Sequence, residues 1–84
     1  MIHHATAEFW ALYRALPAEV RALADRAYER MKADPRHPSL QLKRIGELWS
    51  ARVGLHYRAL GVSVPDGISW FWIGTHAEYD KLVV

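Results

Sequence analysis

At Asp34-Pro35-Arg36-His37-Pro38-Ser39 the spacing of apolar residues changes from a helical repeat to an alternation. Prolines bracket the change. The residue before a proline is pushed out of the helical region, and the proline itself supplies no backbone donor. Apolar residues recurring about every 3.6 positions bury one stripe of a helix, whereas strict alternation buries one face of a strand. A chain of 84 residues that does first one and then the other has to pack helices on a sheet around a single core. The expected fold is an α+β sandwich of two layers, a single domain over residues 1–84.

Before the switch, Phe9, Leu12, Tyr13 and Leu16 form one stripe, and Val20, Leu23, Ala24, Ala27, Tyr28 and Met31 form another. Thr6 is an N-cap candidate for a first helix that stops at Pro17. Pro17 then opens a second helix, with Glu19 where the helix dipole favours a negative charge. The pattern predicts an N-terminal helical hairpin joined at Leu16-Pro17 and ended by Asp34-Pro35. Trp10 falls off the first stripe, so it is expected to be exposed as a contact residue for a partner.

After the switch, Leu40 and Leu42 alternate with Gln41 and Lys43 in a first short strand, and Trp49, Ala51 and Val53 alternate with Ser50 and Arg52 in the next. Gly54 marks a turn. Leu55, Tyr57 and Ala59 then share one face of a third strand, with His56, Arg58, Leu60, Val62 and Val64 on the other. Pro65-Asp66-Gly67 closes a hairpin into Ile68–Ile73, which is almost wholly apolar, as a central strand covered on both faces requires. Trp70 and Trp72 are expected on one core-facing side of it. Thr75 is positioned to cap a short C-terminal helical turn. The sheet is thus small, mostly antiparallel and twisted.

Composition narrows the function. The absence of cysteine removes disulfides, thiolate metal sites and a cysteine nucleophile, in keeping with a reducing, cytoplasmic setting. No apolar run approaches the roughly 18 residues of a membrane span, and Met1-Ile2-His3-His4 lacks the basic start of a signal peptide, so no membrane partner is expected. The net charge of +2 conceals an uneven distribution. Residues 1–35 are neutral overall and residues 59–84 carry −2, while residues 36–58 carry +4 from Arg36, Lys43, Arg44, Arg52 and Arg58 against Glu47. Such a block is the footprint of a polyanion site, although solvated cations also produce one. The histidines are scattered without metal-ligand spacing, and no glycine-rich phosphate loop exists, so neither a metal nor a cofactor is expected.

Several stretches taken in order carry a family resemblance. Leu16-Pro17, Asp34-Pro35-Arg36-His37-Pro38-Ser39-Leu40, Leu48-Trp49-Ser50-Ala51-Arg52-Val53-Gly54, His56-Tyr57-Arg58-Ala59-Leu60 and Trp70-Phe71-Trp72-Ile73-Gly74-Thr75-His76-Ala77-Glu78-Tyr79 resemble the RelE/ParE superfamily of type II toxins. Members usually begin with an edge strand, for which only Met1 to Ala5 is available here, so that strand is expected to be short or missing. The resemblance implies a RelE-like fold and a cognate antitoxin as partner. It further implies either a ribosome-dependent endonuclease that cuts mRNA without a metal, or a relative that binds and poisons DNA gyrase without cutting RNA. The oligomeric state is not implied.

For the nuclease, the RNA 2′-OH attacks the adjacent phosphorus, which calls for a base, a cation for the developing phosphorane charge and an acid for the leaving 5′ oxygen. The resemblance makes His76 the acid, a role suited to an imidazole that titrates near ~6.5, and makes Arg58 the phosphate-stabilising strand arginine. Arg52 joins them, and Tyr79 is a donor or stacking residue. Lys43 and Arg44 are expected on RNA phosphates, with His56 either a base or a cross-strand filler. Each has a structural alternative: His76 capping a strand end, Arg58 paired with Asp66 or Glu47, Lys43 a solvated edge lysine, Tyr79 packed under the last helical turn.

Overall fold

The computed structural model describes residues 1–83. The order of elements is β1 (Ile2–Ala5), α1 (Ala7–Arg14), α2 (Ala18–Ala33), a 3-10 turn (Pro38–Leu40), β2 (Lys43–Ile45), β3 (Leu48–Val53), β4 (Tyr57–Val64), β5 (Gly67–Thr75) and α3 (His76–Val83). The five strands form one sheet in the order β1-β5-β4-β3-β2. β1 runs parallel to β5 and every other pairing is antiparallel. No helix among the described residues is long and apolar enough to cross a membrane.

The chain therefore opens on a strand, and the expectation that it opens on a helical hairpin is corrected. β1 is only four residues long and has no pattern of its own, so its existence depends on β5. Ile2 lies against Gly67 so closely that a Cβ at position 67 would sit 1.8 Å from the Ile2 carbonyl oxygen, and the Ile2 N–H donates to the Asp66 carbonyl at 2.8 Å. The His4 ring meets the Asp66 carboxylate at 2.9 Å and further ties the strand down.

Both helices start where local chemistry asks them to. The Thr6 hydroxyl accepts from the Phe9 N–H at 3.2 Å as the N-cap of α1, and Pro17 stands immediately before the first residue of α2. α1 packs on β5 and α2 on β3. Phe9 and Tyr13 from α1 and Leu16 from the turn after it, with Leu23, Ala24, Ala27 and Met31 from α2, meet Ala51, Val53, Ala59, Ile68, Trp70 and Ile73 from the sheet. Leu12 and Tyr28, expected in these stripes, are exposed, and so is Trp10, as its off-stripe position predicts. Trp10 sets its ring edge-to-face against Phe9 and Tyr13.

Two expectations for the sheet are also corrected. Leu40 and Gln41 do not begin a strand: Leu40 closes the 3-10 turn at 1% exposure, Gln41 is left-handed (φ 43°, ψ 44°), and β2 starts only at Lys43. Along β5, Gly61 of β4 pairs with Trp70 but Leu60 pairs with Trp72, leaving Phe71 as an extra residue. This β-bulge reverses the alternation. Trp70 consequently points into the helix-covered core and donates its indole N–H to His3 Nδ1 at 3.2 Å, while Trp72 turns to the opposite face, against Gly74.

Candidate functional site

The face of the sheet away from α1 and α2 carries the charge. In β3 and β4 the register sets Arg52 opposite Arg58 and Ser50 opposite Leu60, while Ala51 and Ala59, between them, face the core. One strand further out, Lys43 stands opposite Ser50 and so shares the arginine face; Arg44 stands opposite Trp49 and faces the other way. The Arg44 guanidinium lies 5.1 Å from the Trp49 ring, so it does not join the arginines. The cationic block read from sequence is thus divided between two faces by the period of the strand.

α3 is docked on this face by its N-terminal end and its middle. Its first N–H, from His76, donates to the His56 carbonyl at 2.7 Å, anchoring the helix to the turn between β3 and β4. Thr75 and Glu78 cap it reciprocally: the Glu78 N–H donates to Thr75 Oγ1 at 3.1 Å, and the Thr75 N–H and hydroxyl donate to Glu78 Oε1 at 3.1 and 2.9 Å. These bonds, the backbone one first, hold the Glu78 carboxyl below its ordinary range. In the middle of the helix Tyr79 is buried and presents its ring to Arg58, 5.1 Å from the guanidinium carbon.

Arg58 is 2% exposed. Its Nε donates to Ser50 Oγ at 2.9 Å, Nη1 to Gln41 Oε1 at 3.3 Å and Nη2 to the Gln41 carbonyl at 3.2 Å. Burial lowers its pKa, Tyr79 opposes that shift, and the positive charge of Arg52 adds to it. Neither Asp66 nor Glu47, the salt-bridge partners weighed from sequence, takes part; Asp66 is held by His4. The Arg52 Nε is buried without a hydrogen-bond partner. An orphaned guanidinium donor beside a buried arginine is an arrangement that an oxyanion would complete.

His76 lies at the rim. Its ring is half-exposed, and Nδ1 donates to Asp80 Oδ2 at 3.2 Å, one helical turn on. That bond leaves Nε2 as the ring nitrogen without a hydrogen-bond partner among the described residues. The imidazole also meets the Tyr79 ring edge-on at 5.5 Å. Arg52, Arg58, Tyr79 and His76 are therefore brought together, with Lys43 on the same face one strand away. His56 is in the exposed turn before β4 rather than on the strand, joined to the group through its carbonyl.

Three members escaped sequence reading. Asp80 is legible as the i+4 neighbour of His76 once residues 76–83 are taken as a true helix. Ser50 and Gln41 carry no local signal, because each becomes relevant only through pairing across the fold. An apolar cleft of about 220 Å³ opens elsewhere, between β1, α1, α2 and the core, lined by Phe9, Trp10, Tyr13, Tyr28 and Trp70 among others. It contains none of the arginines.

No family model matches this chain, and no curated protein matches it. Among solved structures its fold is similar to a chain of the RelB-RelE antitoxin-toxin complex from Methanococcus jannaschii, with a TM-score of 0.73 at 15% identity, over 96% of this chain and 99% of that one. At that identity the likeness is one of fold.

Proposed function

We propose that this chain is the toxin of a type II toxin-antitoxin pair and a ribosome-dependent, metal-independent mRNA endonuclease. One observation carries the proposal: two adjacent arginines, one with an orphaned donor, are linked through the Tyr79 ring to a histidine whose Nδ1 is fixed by a carboxylate. The fold likeness to a chain of an antitoxin-toxin complex supports the antitoxin as partner.

In the proposed reaction the RNA 2′-OH attacks the adjacent phosphorus while the bond to the 5′ oxygen breaks, leaving a 2′,3′-cyclic phosphate and a free 5′-OH. Arg52 receives the phosphate, and the buried charge of Arg58 acts on the phosphorane at short range, where low dielectric strengthens it. Direct contact with Arg58 requires Tyr79 to give way. His76, protonated, donates from Nε2 to the leaving 5′ oxygen, and the Asp80 bond to Nδ1 orients the ring. His56, tied to His76 through its carbonyl, is the candidate base for the 2′-OH proton. Lys43 holds a flanking phosphate.

The test is a translation reaction supplied with purified protein, with message 5′ ends mapped, run beside a gyrase supercoiling assay. New 5′ ends at codon-spaced positions are expected. Intact message with inhibited gyrase would replace the endonuclease reading with that of a gyrase-binding toxin, and intact message with active gyrase would remove both.

A further inference from the structure

Arg58 is a buried cation whose hydrogen bonds all go to neutral groups, with the Asp80 carboxylate of α3 acting on it only through space. Its contacts are the Ser50 hydroxyl, the Gln41 side-chain oxygen, the Gln41 carbonyl and the Tyr79 ring. The ion pairs among the described residues are His4 with Asp66, Lys32 with Glu29 and His76 with Asp80; none includes Arg58. Its cross-strand neighbour is another arginine. Buried charges are ordinarily paired with an opposite charge, because desolvation is otherwise uncompensated.

The residue that supplies two of those contacts is itself unusual. Gln41 is the sole non-glycine residue with positive φ among the described residues, in a left-handed conformation that side chains with a Cβ rarely adopt. Two constraints from the preceding turn hold it there. The Gln41 N–H closes the 3-10 turn on the Pro38 carbonyl at 3.2 Å, and Leu40 before it is fixed in the core. The result is that backbone carbonyl and side-chain oxygen of one residue converge on one guanidinium. Backbone strain of this kind persists where the surroundings impose it and often where function needs it.

We propose that Gln41 is the positioning residue of this site, a neutral clamp that fixes Arg58 in place without cancelling its charge, so that the charge remains available to an oxyanion arriving from outside. The proposal rests on the phosphate-binding reading of the arginine face given above. It assigns a reason for glutamine at position 41 where glutamate, nearly identical in shape, would supply the missing counterion. Glutamate would satisfy Arg58 internally and remove the site's affinity for anions.

The decisive variant is Gln41→Glu in the full chain, measured for thermal stability and for binding of a short 2′-O-methylated oligoribonucleotide, which lacks the attacking hydroxyl and is not cut. The expected result is a raised Tm together with binding weakened about tenfold or more, roughly what loss of one charge-assisted contact costs. A purely structural Gln41 would give a raised Tm with unchanged binding, and that outcome overturns the proposal, as does a lowered Tm or a wild-type protein that does not bind the oligonucleotide. Gln41→Gly is the second arm. Glycine adopts the left-handed conformation freely and keeps the carbonyl, so the fold is retained. Solvent exchange of the Arg58 Nε–H, followed by nitrogen-15 NMR on the free protein, is expected to quicken severalfold; unchanged exchange overturns the clamp. Both arms are independent of message cleavage. A protein that cuts no mRNA yet passes them would lose its proposed function and keep its clamp.

Discussion

The two faces of the sheet are built from the same three strands and put them to opposite uses. Towards α1 and α2 the strands present Ala51, Val53, Ala59, Ile68, Trp70 and Ile73, which with Met31 and Leu40 form the core. Each Å² of apolar surface removed from water there contributes about 25 cal/mol. Towards α3 they present Ser50, Arg52 and Arg58, where burial works against the charges it encloses. The bulge at Phe71 allows β5 to serve both, sending Trp70 to one face and Trp72 to the other. Stability is concentrated on the first face and reactive groups on the second, so substitutions on the two should have separable consequences.

The largest effect is expected on the helix-covered face. Ile68→Ala removes a side chain that is 1% exposed, which should cost about 2–5 kcal/mol from a total of roughly 4–13 kcal/mol for a domain of this length. Urea denaturation would read it as a midpoint shift at constant m. A loss below about 1 kcal/mol would mean that the core is not the main source of stability, and the contrast between faces would fail.

The next effect reverses the pattern. His76→Ala should lower message cleavage about 10²-fold or more, while the half-exposed position of the ring leaves the urea midpoint nearly unchanged. Cleavage at the wild-type rate would remove His76 from the reaction. A large midpoint shift would make it a structural residue of the α3 docking.

The helix-covered face was also the more legible one. The stripes of α1 and α2 follow from local spacing except at Leu12 and Tyr28, which are exposed, and Trp10 is exposed as its place off the stripe predicts. What sequence did not disclose depends on partners far along the chain. β1 exists because Gly67 admits it, and nothing between Met1 and Ala5 announces a strand. Leu40 and Leu42 alternate as strand residues would, but a buried leucine ending a 3-10 turn gives the same pattern. The insertion of Phe71 reversed the expected side of Trp72 without altering the apolar character of the run. On the other face, alternation sets Arg58 beside Arg52, whereas its enclosure depends on Tyr79 from α3 and on Gln41 from the turn before β2. Side-chain period assigns a face. It does not say what covers that face.

α3 is the lid of the arginine face, and its cap is the point at which to loosen it. Thr75→Ala removes the hydroxyl that receives the Glu78 N–H and should cost about 1 kcal/mol, with cleavage reduced because His76 is the residue that follows. The same cap makes α3 sensitive to acid. Because Glu78 is held below its ordinary range near 4.5 by Thr75, its ionised form favours the folded helix. That contribution is fully present above the ordinary value and is lost as pH falls through the lowered one. Protection of the Tyr79 and Asp80 amides, relative to their intrinsic exchange rates, should therefore fall in that acid window, and Glu78→Gln should abolish that fall. Protection that ignores both pH and the substitution would show that Tyr79, rather than the cap, holds α3 on the sheet.

The smallest effect gives the sharpest comparison, because it uses two adjacent residues of one strand with the same charge. Lys43 and Arg44 are both exposed, yet Lys43 pairs across from Ser50 on the arginine face and Arg44 from Trp49 on the other. Removing either takes one positive charge from the same short segment, so any effect of overall field should be common to both. A direct phosphate contact is different: its loss weakens binding severalfold and lowers the slope of log affinity against log salt by about 0.7 for a single strand. Lys43→Ala is expected to do this with the uncleavable oligoribonucleotide, and Arg44→Ala to leave the slope near its wild-type value. Equal slopes for the two variants would mean that RNA responds to the charge of the whole edge strand and does not distinguish the faces.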